Sequence, residues 1–164
     1  MVILSAQKQA ASASVFDLLR SVLIALLVGA VGGLIGGTAG FDGVLVKPPL
    51  TPPGWVFPVV WTILYILMGT AAWMIGKSED ADAAPALRLY RIQLIVNALW
   101  PLLFFRLSLR LLALLWLLLL IALIVLTIRR FYAIRPTAAF LLLPYLAWCL
   151  FAAYLNLGFY LLNS

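Results

Sequence analysis

The chain has 164 residues, 66% of them hydrophobic and only 10% charged, with a formal net charge of +6, one cysteine and no histidine. Soluble domains carry roughly 25% charged residues, so this composition points to the bilayer as the main solvent and leaves no separate soluble domain. Without histidine and with Cys149 alone, Cys/His metal sites and an intramolecular disulfide are excluded. The basic residues sit at segment ends, where they meet lipid head groups and not nucleic acid.

In chain order, Met1 to Ser14 is polar and rich in Ala and Ser and is read as a disordered tail, residues 1–14. The first apolar span runs from about Val15 to Gly40, too long for the core of a signal peptide, so it is read as an uncleaved helix. It carries two glycine rows, Gly29, Gly33 and Gly37 on one and Gly32, Gly36 and Gly40 on the other. Such rows let helices approach closely, either within the chain or across a homodimer seam. Phe41 to Pro53 is a Pro-rich connection that cannot be helical, read either as a stiff interfacial connector or as a rigid lid.

Span two covers about Gly54 to Gly76, span three Pro85 to Phe105, span four Leu109 to Ile128 and span five Thr137 to Asn163. Only helices satisfy every backbone polar group in such runs, which lack the alternation of a barrel. The predicted fold is an all-α membrane protein, a single five-transmembrane-helix bundle over residues 15–164. Lys8, Arg20, Lys77, Arg88, Arg91, Arg129, Arg130 and Arg135 fall on one side, and Lys47, Arg106 and Arg110 on the other. The positive-inside rule then places the N-terminus in the cytoplasm and the C-terminus on the opposite side.

Aromatic and amide residues recur inside these spans. Trp61 and Tyr65 share a face of span two; Gln93, Asn97, Trp100 and Phe104 share one of span three; Tyr145, Trp148, Ala152 and Leu155 form a stripe on span five. Amides at depth are costly unless paired, so Gln93 and Asn97 are predicted to point into the bundle, toward another helix or toward a ligand. Pro101 and Pro144 fall inside predicted helices and are expected to bend them. No Ser–base pair, intramembrane carboxylate pair or phosphate loop is present, so no catalytic residue is assigned and no cofactor is required.

Three blocks together resemble the translocator protein family, also called tryptophan-rich sensory proteins or peripheral-type benzodiazepine receptors. They are Lys47-Pro48 with Pro52-Pro53-Gly54-Trp55-Val56-Phe57 and Trp61-Thr62-Ile63-Leu64-Tyr65; then Gln93, Asn97, Trp100 and Phe104-Phe105; then Pro144-Tyr145, Trp148, Phe151-Ala152, Leu155-Asn156 and Asn163. The resemblance implies a five-helix bundle, often dimeric, with a pocket beneath the first loop. It implies binding of porphyrins, protoporphyrin and haem among them, and in certain members light-driven porphyrin breakdown. The matching ligand-binding positions are Trp61, Tyr65, Asn97, Trp100, Trp148, Ala152 and Leu155, roofed by Pro52 and Phe57. Two departures stand out. Phe41-Asp42 and Leu50 occupy loop positions where the family usually has further aromatics, and no basic residue follows Asn156, where its sterol motif ends in one.

These readings converge on a membrane receptor or carrier for porphyrin or another flat apolar molecule. Two alternatives stand beside it. One is a light- and oxygen-dependent porphyrin-degrading enzyme with Trp61 and Trp148 as redox-active indoles. The other is a structural or regulatory membrane partner whose aromatic stripes only pack.

Overall fold

The computed structural model describes residues 2–37 and 45–163, and every regular element among them is helical. The elements are α1 (Val2–Gly36), α2 (Val56–Gly76), α3 (Ala83–Pro101) with a π-helical continuation (Leu102–Arg106), α4 (Arg110–Ile134), α5 (Pro136–Phe140) and α6 (Leu143–Leu162). The expectations placed on Gly40, Phe41 and Asp42 lie outside the described residues. The backbone is helical from Val2, where hydropathy predicts a disordered tail up to Ser14. Ala and Gln, frequent in that stretch, are good helix formers and need no apolar face to continue a helix.

Among the described residues, four segments are long and apolar enough to cross a membrane: Ser14–Gly36, Val56–Gly76, Arg110–Ile134 and Pro136–Leu162. The remaining long helix, α3, is not among them, because it carries Arg88, Arg91, Gln93 and Asn97. The helices turn large aliphatic side chains outward, among them Leu23, Leu27 and Val31 on α1, Leu115 and Leu118 on α4, and Leu150 and Leu157 on α6. An outward apolar surface on several helices at once is unfavourable in water and matches hydrocarbon.

The bundle is assembled by α1 packing along α2 and α3, and α4 along α3 and α6. Small residues set how close α1 comes. A Cβ at Gly32 would press on the backbone of Ala98, and one at Gly36 would overlap Pro101. Across α2, Gly69 meets the backbone of Val22, and Ser21 Oγ donates to the Gly69 carbonyl at 2.7 Å. Gly33, in contrast, faces open space, and Gly29 faces the Tyr65 ring. The two glycine rows therefore act differently inside the chain: Gly32 and Gly36 seat α1 on α3, while on the other row Gly29 admits the Tyr65 ring of α2 and Gly33 leaves open space.

The two prolines act differently from simple interior bends. Pro101 ends α3, and the widened turn that follows closes with Leu107 N donating to the Leu102 carbonyl at 3.0 Å. Proline removes a donor, and a π turn is one way the backbone absorbs the lost register. Pro144 does not interrupt a long fifth helix. The break falls at Leu141–Leu142, and Pro144 lies in the first turn of α6, where its missing N–H costs nothing.

The Pro-rich connection is strapped onto α6. Asn163 accepts from Val46 N at 2.9 Å and donates from Nδ2 to the Val46 carbonyl at 3.0 Å. Tyr154 donates to the Pro49 carbonyl at 3.1 Å, and Pro48 is seated against Gly158, where a Cβ would not fit.

The division of the glycine rows is testable. Gly32→Ala and Gly36→Ala should each lose about 1–3 kcal/mol through overpacking. Gly33→Ala should be neutral or gain up to about 1 kcal/mol from helix propensity. Thermal unfolding in detergent measures all three, and an equal loss at Gly33 would contradict the division.

Candidate functional site

A cavity of about 710 Å³ lies inside the bundle. Its wall comes from Gly29, Ala30, Gly33 and Gly37 of α1 and its end; Phe57, Trp61, Thr62 and Tyr65 of α2; Asn97, Trp100, Pro101 and Phe105 of α3 and its continuation; Leu117 and Leu120 of α4; and Ala152 of α6. The volume falls inside the range of about 300–1,000 Å³ typical of small-molecule pockets. No charged residue is among those lining it. Apart from Leu26, the α1 side is built from residues with little or no side chain, and Ala30, Gly33 and Gly37 remain exposed, so the cavity opens between α1 and α2.

From the wall residues Tyr65 and Asn97 a chain of hydrogen bonds runs into the packed interior, among groups that are all buried. Tyr65 Oη donates to Asn97 Oδ1 at 2.6 Å, Asn97 Nδ2 donates to Tyr145 Oη at 2.9 Å, and Tyr145 Oη donates to Gln93 Oε1 at 2.9 Å. The chain links α2, α3 and α6, and it leaves Gln93 Nε2 as a buried donor without an acceptor. Each group needs its partner, because an unsatisfied polar atom away from water costs about 1–3 kcal/mol. The prediction that Gln93 and Asn97 point inward holds: they are 1% and 4% exposed.

Aromatic rings complete the wall. Trp61 stacks on Tyr65 with centroids 5.5 Å apart and meets Tyr145 edge-on at 6.1 Å. Trp100 stacks on Phe104 at 5.1 Å, and Phe105 stands edge-on to Phe104 at 4.9 Å. The π turn thus sends Phe104 into the packed interior and Phe105 to the cavity. Trp100 is held from behind. With the Asn156 amide oriented so that its nitrogen donates to the Arg110 carbonyl at 2.9 Å, its oxygen accepts from Trp100 Nε1 at 3.2 Å.

Of the residues singled out in the sequence, Phe57, Trp61, Tyr65, Asn97, Trp100 and Ala152 meet on this wall. Pro52, Trp148 and Leu155 are not on it. Trp148 packs edge-on to Phe57 at 5.8 Å, and its buried Nε1 has no acceptor. Leu155 is buried with Phe104, Ala113 and Phe159, and Pro52 is half-buried in the loop. Tyr145, the centre of the hydrogen-bond chain, stands in the span-five stripe without being assigned to the site. Its signal is a phenol flanked by apolar residues one turn before Trp148. Among the described residues no group of three or more His, Cys, Asp or Glu could hold a metal ion.

A model of the TspO/MBR family matches residues 21–161. The chain is 43% identical over 121 residues to the tryptophan-rich protein TspO of Chlorobaculum tepidum, covering 73% of this chain and 77% of that protein. It is 37% identical over 157 residues to the tryptophan-rich protein TspO of Archaeoglobus fulgidus, covering 92% and 99%. It is 41% identical over 115 residues to the translocator protein of Bos taurus, covering 68% of each.

Tyr145→Phe should strand Asn97 Nδ2 and Gln93 Oε1 and destabilise the bundle by about 1–3 kcal/mol. Tyr132→Phe, at an exposed site, should change stability by less than about 0.5 kcal/mol. Melting temperatures in one detergent compare the two, and equal values would mean that the chain of hydrogen bonds contributes little.

Proposed function

Since the chain belongs to the TspO/MBR family and is a multi-pass membrane protein, we propose that it is a receptor or carrier for a porphyrin or similarly flat, apolar ligand held in the cavity between α1, α2 and α3. The observation that carries this reading is the cavity itself. Protein interiors are close-packed, and a void of about 710 Å³ walled by Trp61, Trp100, Phe57 and Phe105 is far larger than packing alone leaves. Indoles and phenyl rings offer flat faces and edges to a flat partner. The uncharged wall suits a ligand that arrives from the bilayer, and the opening beside Gly33 faces it.

The polar edge of such a ligand would meet Tyr65 and Asn97. Their existing hydrogen bonds hold both groups in fixed orientations, so recognition there is prepaid in rotamer entropy. All five long segments would cross the membrane, with α3 carried by its neighbours because its amides are paired inside the bundle. The N-terminus would lie in the cytoplasm, where Arg20, Lys77, Arg88, Arg91, Arg129 and Arg130 gather, and the strapped loop and the C-terminus on the other side.

Photochemical breakdown of a porphyrin is the second reading. Its support is that Trp61 lies on the wall, where an indole could exchange an electron with an excited macrocycle in the presence of oxygen. Trp148, behind Phe57, would take part only at a distance.

Titration of the detergent-solubilised protein with protoporphyrin in the dark, followed by tryptophan fluorescence, tests the proposal. Saturable quenching at micromolar or lower ligand is expected, and Gly33→Leu should weaken it tenfold or more, a loss of about 1.4 kcal/mol or greater. With no histidine to serve as axial ligand, haem should bind no more tightly than protoporphyrin. Linear quenching that Gly33→Leu leaves unchanged would mean partitioning into micelles and would remove the pocket from the account.

A further inference from the structure

A second cavity, of about 330 Å³, opens at the far end of the bundle, where the apolar segment of α1 and helix α3 begin and α2 ends. Its wall has a basic part, Arg20, Lys77 and Arg91 with Asp17, and an apolar part that includes Ile24, Leu87 and Leu94. Lys77 is ion-paired to Asp17. That leaves Arg20 and Arg91 as cations without a carboxylate partner among the described residues. Glu79, Asp80 and Asp82 lie in the neighbouring loop but not on the wall. Trp73 also lines it, and its Nε1 is a buried donor with no acceptor.

Both arginine side chains are exposed, but each starts from well inside its helix. Arg91 lies about two turns inside α3, and Arg20 nearly two turns inside the apolar Ser14–Gly36 segment. Cations at such depth are costly unless they snorkel or meet an anion. Two unpaired guanidinium groups, an unpartnered indole N–H and an apolar wall in one recess fit an anionic group joined to a hydrocarbon chain. The apolar side leads outward: Ile24 is 48% exposed and continues into the outward-facing Leu27 and Val31. A free anion would have no use for that surface.

We infer that this recess binds an acidic phospholipid, its phosphate between Arg20 and Arg91 and accepting from Trp73, its acyl chain along Ile24 and Leu87. Basic recesses between helices on the side facing anionic lipid hold head groups in this way. The site is separate from the aromatic cavity and shares no lining residue with it.

Native mass spectrometry of delipidated protein in detergent tests the inference, with dioleoylphosphatidylglycerol and dioleoylphosphatidylcholine as probes. The wild type should retain one phosphatidylglycerol in preference to phosphatidylcholine. Arg20→Gln and Arg91→Gln should each lower retention about fivefold, the factor for roughly 1 kcal/mol per cation near the surface. Trp73→Phe, which keeps the charge, should lower it less and serves as the readout if an arginine variant does not fold. Arg129→Gln/Arg130→Gln, which removes two charges at the same end but off the wall, should leave retention unchanged. Equal retention of the two lipids would overturn the inference. So would an equal loss in the Arg129/Arg130 variant, which would mean general attraction, or full displacement by millimolar inorganic phosphate, which would mean a site for the free anion.

Discussion

Two amides and two phenols, buried where the surroundings are almost wholly apolar, must satisfy one another. Tyr65, Asn97, Tyr145 and Gln93 do so in a single line across α2, α3 and α6. In hydrocarbon the alternative to pairing is an orphaned polar atom, so the line fixes the rotation of three helices at once. The rest of the site follows from that rotation. With Asn97 turned inward, Trp100 comes to the same wall one turn later, and Trp61, one turn before Tyr65 on α2, is brought edge-on to Tyr145.

The cavity exists because α1 cannot fill it. Gly32 and Gly36 bring α1 down onto α3, while on the adjacent row Gly29 admits the Tyr65 ring of α2 and Gly33 leaves open space. Close packing on one face and a deficit of side chain on the next produce a void with a firm frame. The proline-dependent π turn and the Asn163 strap complete the frame, one setting Phe105 on the wall and the other holding the loop that leads into α2. Binding a rigid flat molecule in such a frame would cost little reorganisation.

Much of this was legible in the sequence because membrane physics restricts the choices. Spans could be counted from apolar runs, and Gln93 and Asn97 could be turned inward because lipid does not tolerate bare amides. Six of the nine predicted pocket positions lie on the cavity wall. The remainder depended on relations between distant residues. The bond from Asn163 to Val46 joins the end of α6 to the connection between α1 and α2 and leaves no local pattern. Tyr145 was visible as a phenol in an apolar stripe, but its two amide partners were not. Pro144 marked a discontinuity, yet only the backbone shows that the break precedes it. Trp148 shares the stripe of Ala152, and Phe57 from another helix stands beside its ring, which no spacing on α6 could reveal.

The central claim is that the aromatic cavity is a ligand site and not a packing fault. A structure of the protein loaded with protoporphyrin in a lipid nanodisc tests it most directly. The account predicts macrocycle density between Trp61 and Trp100, beside Gly33, with the Tyr65–Asn97 hydrogen bond intact at its polar edge. Density confined to the lipid-facing surface, with the cavity filled by rearranged side chains, would contradict it.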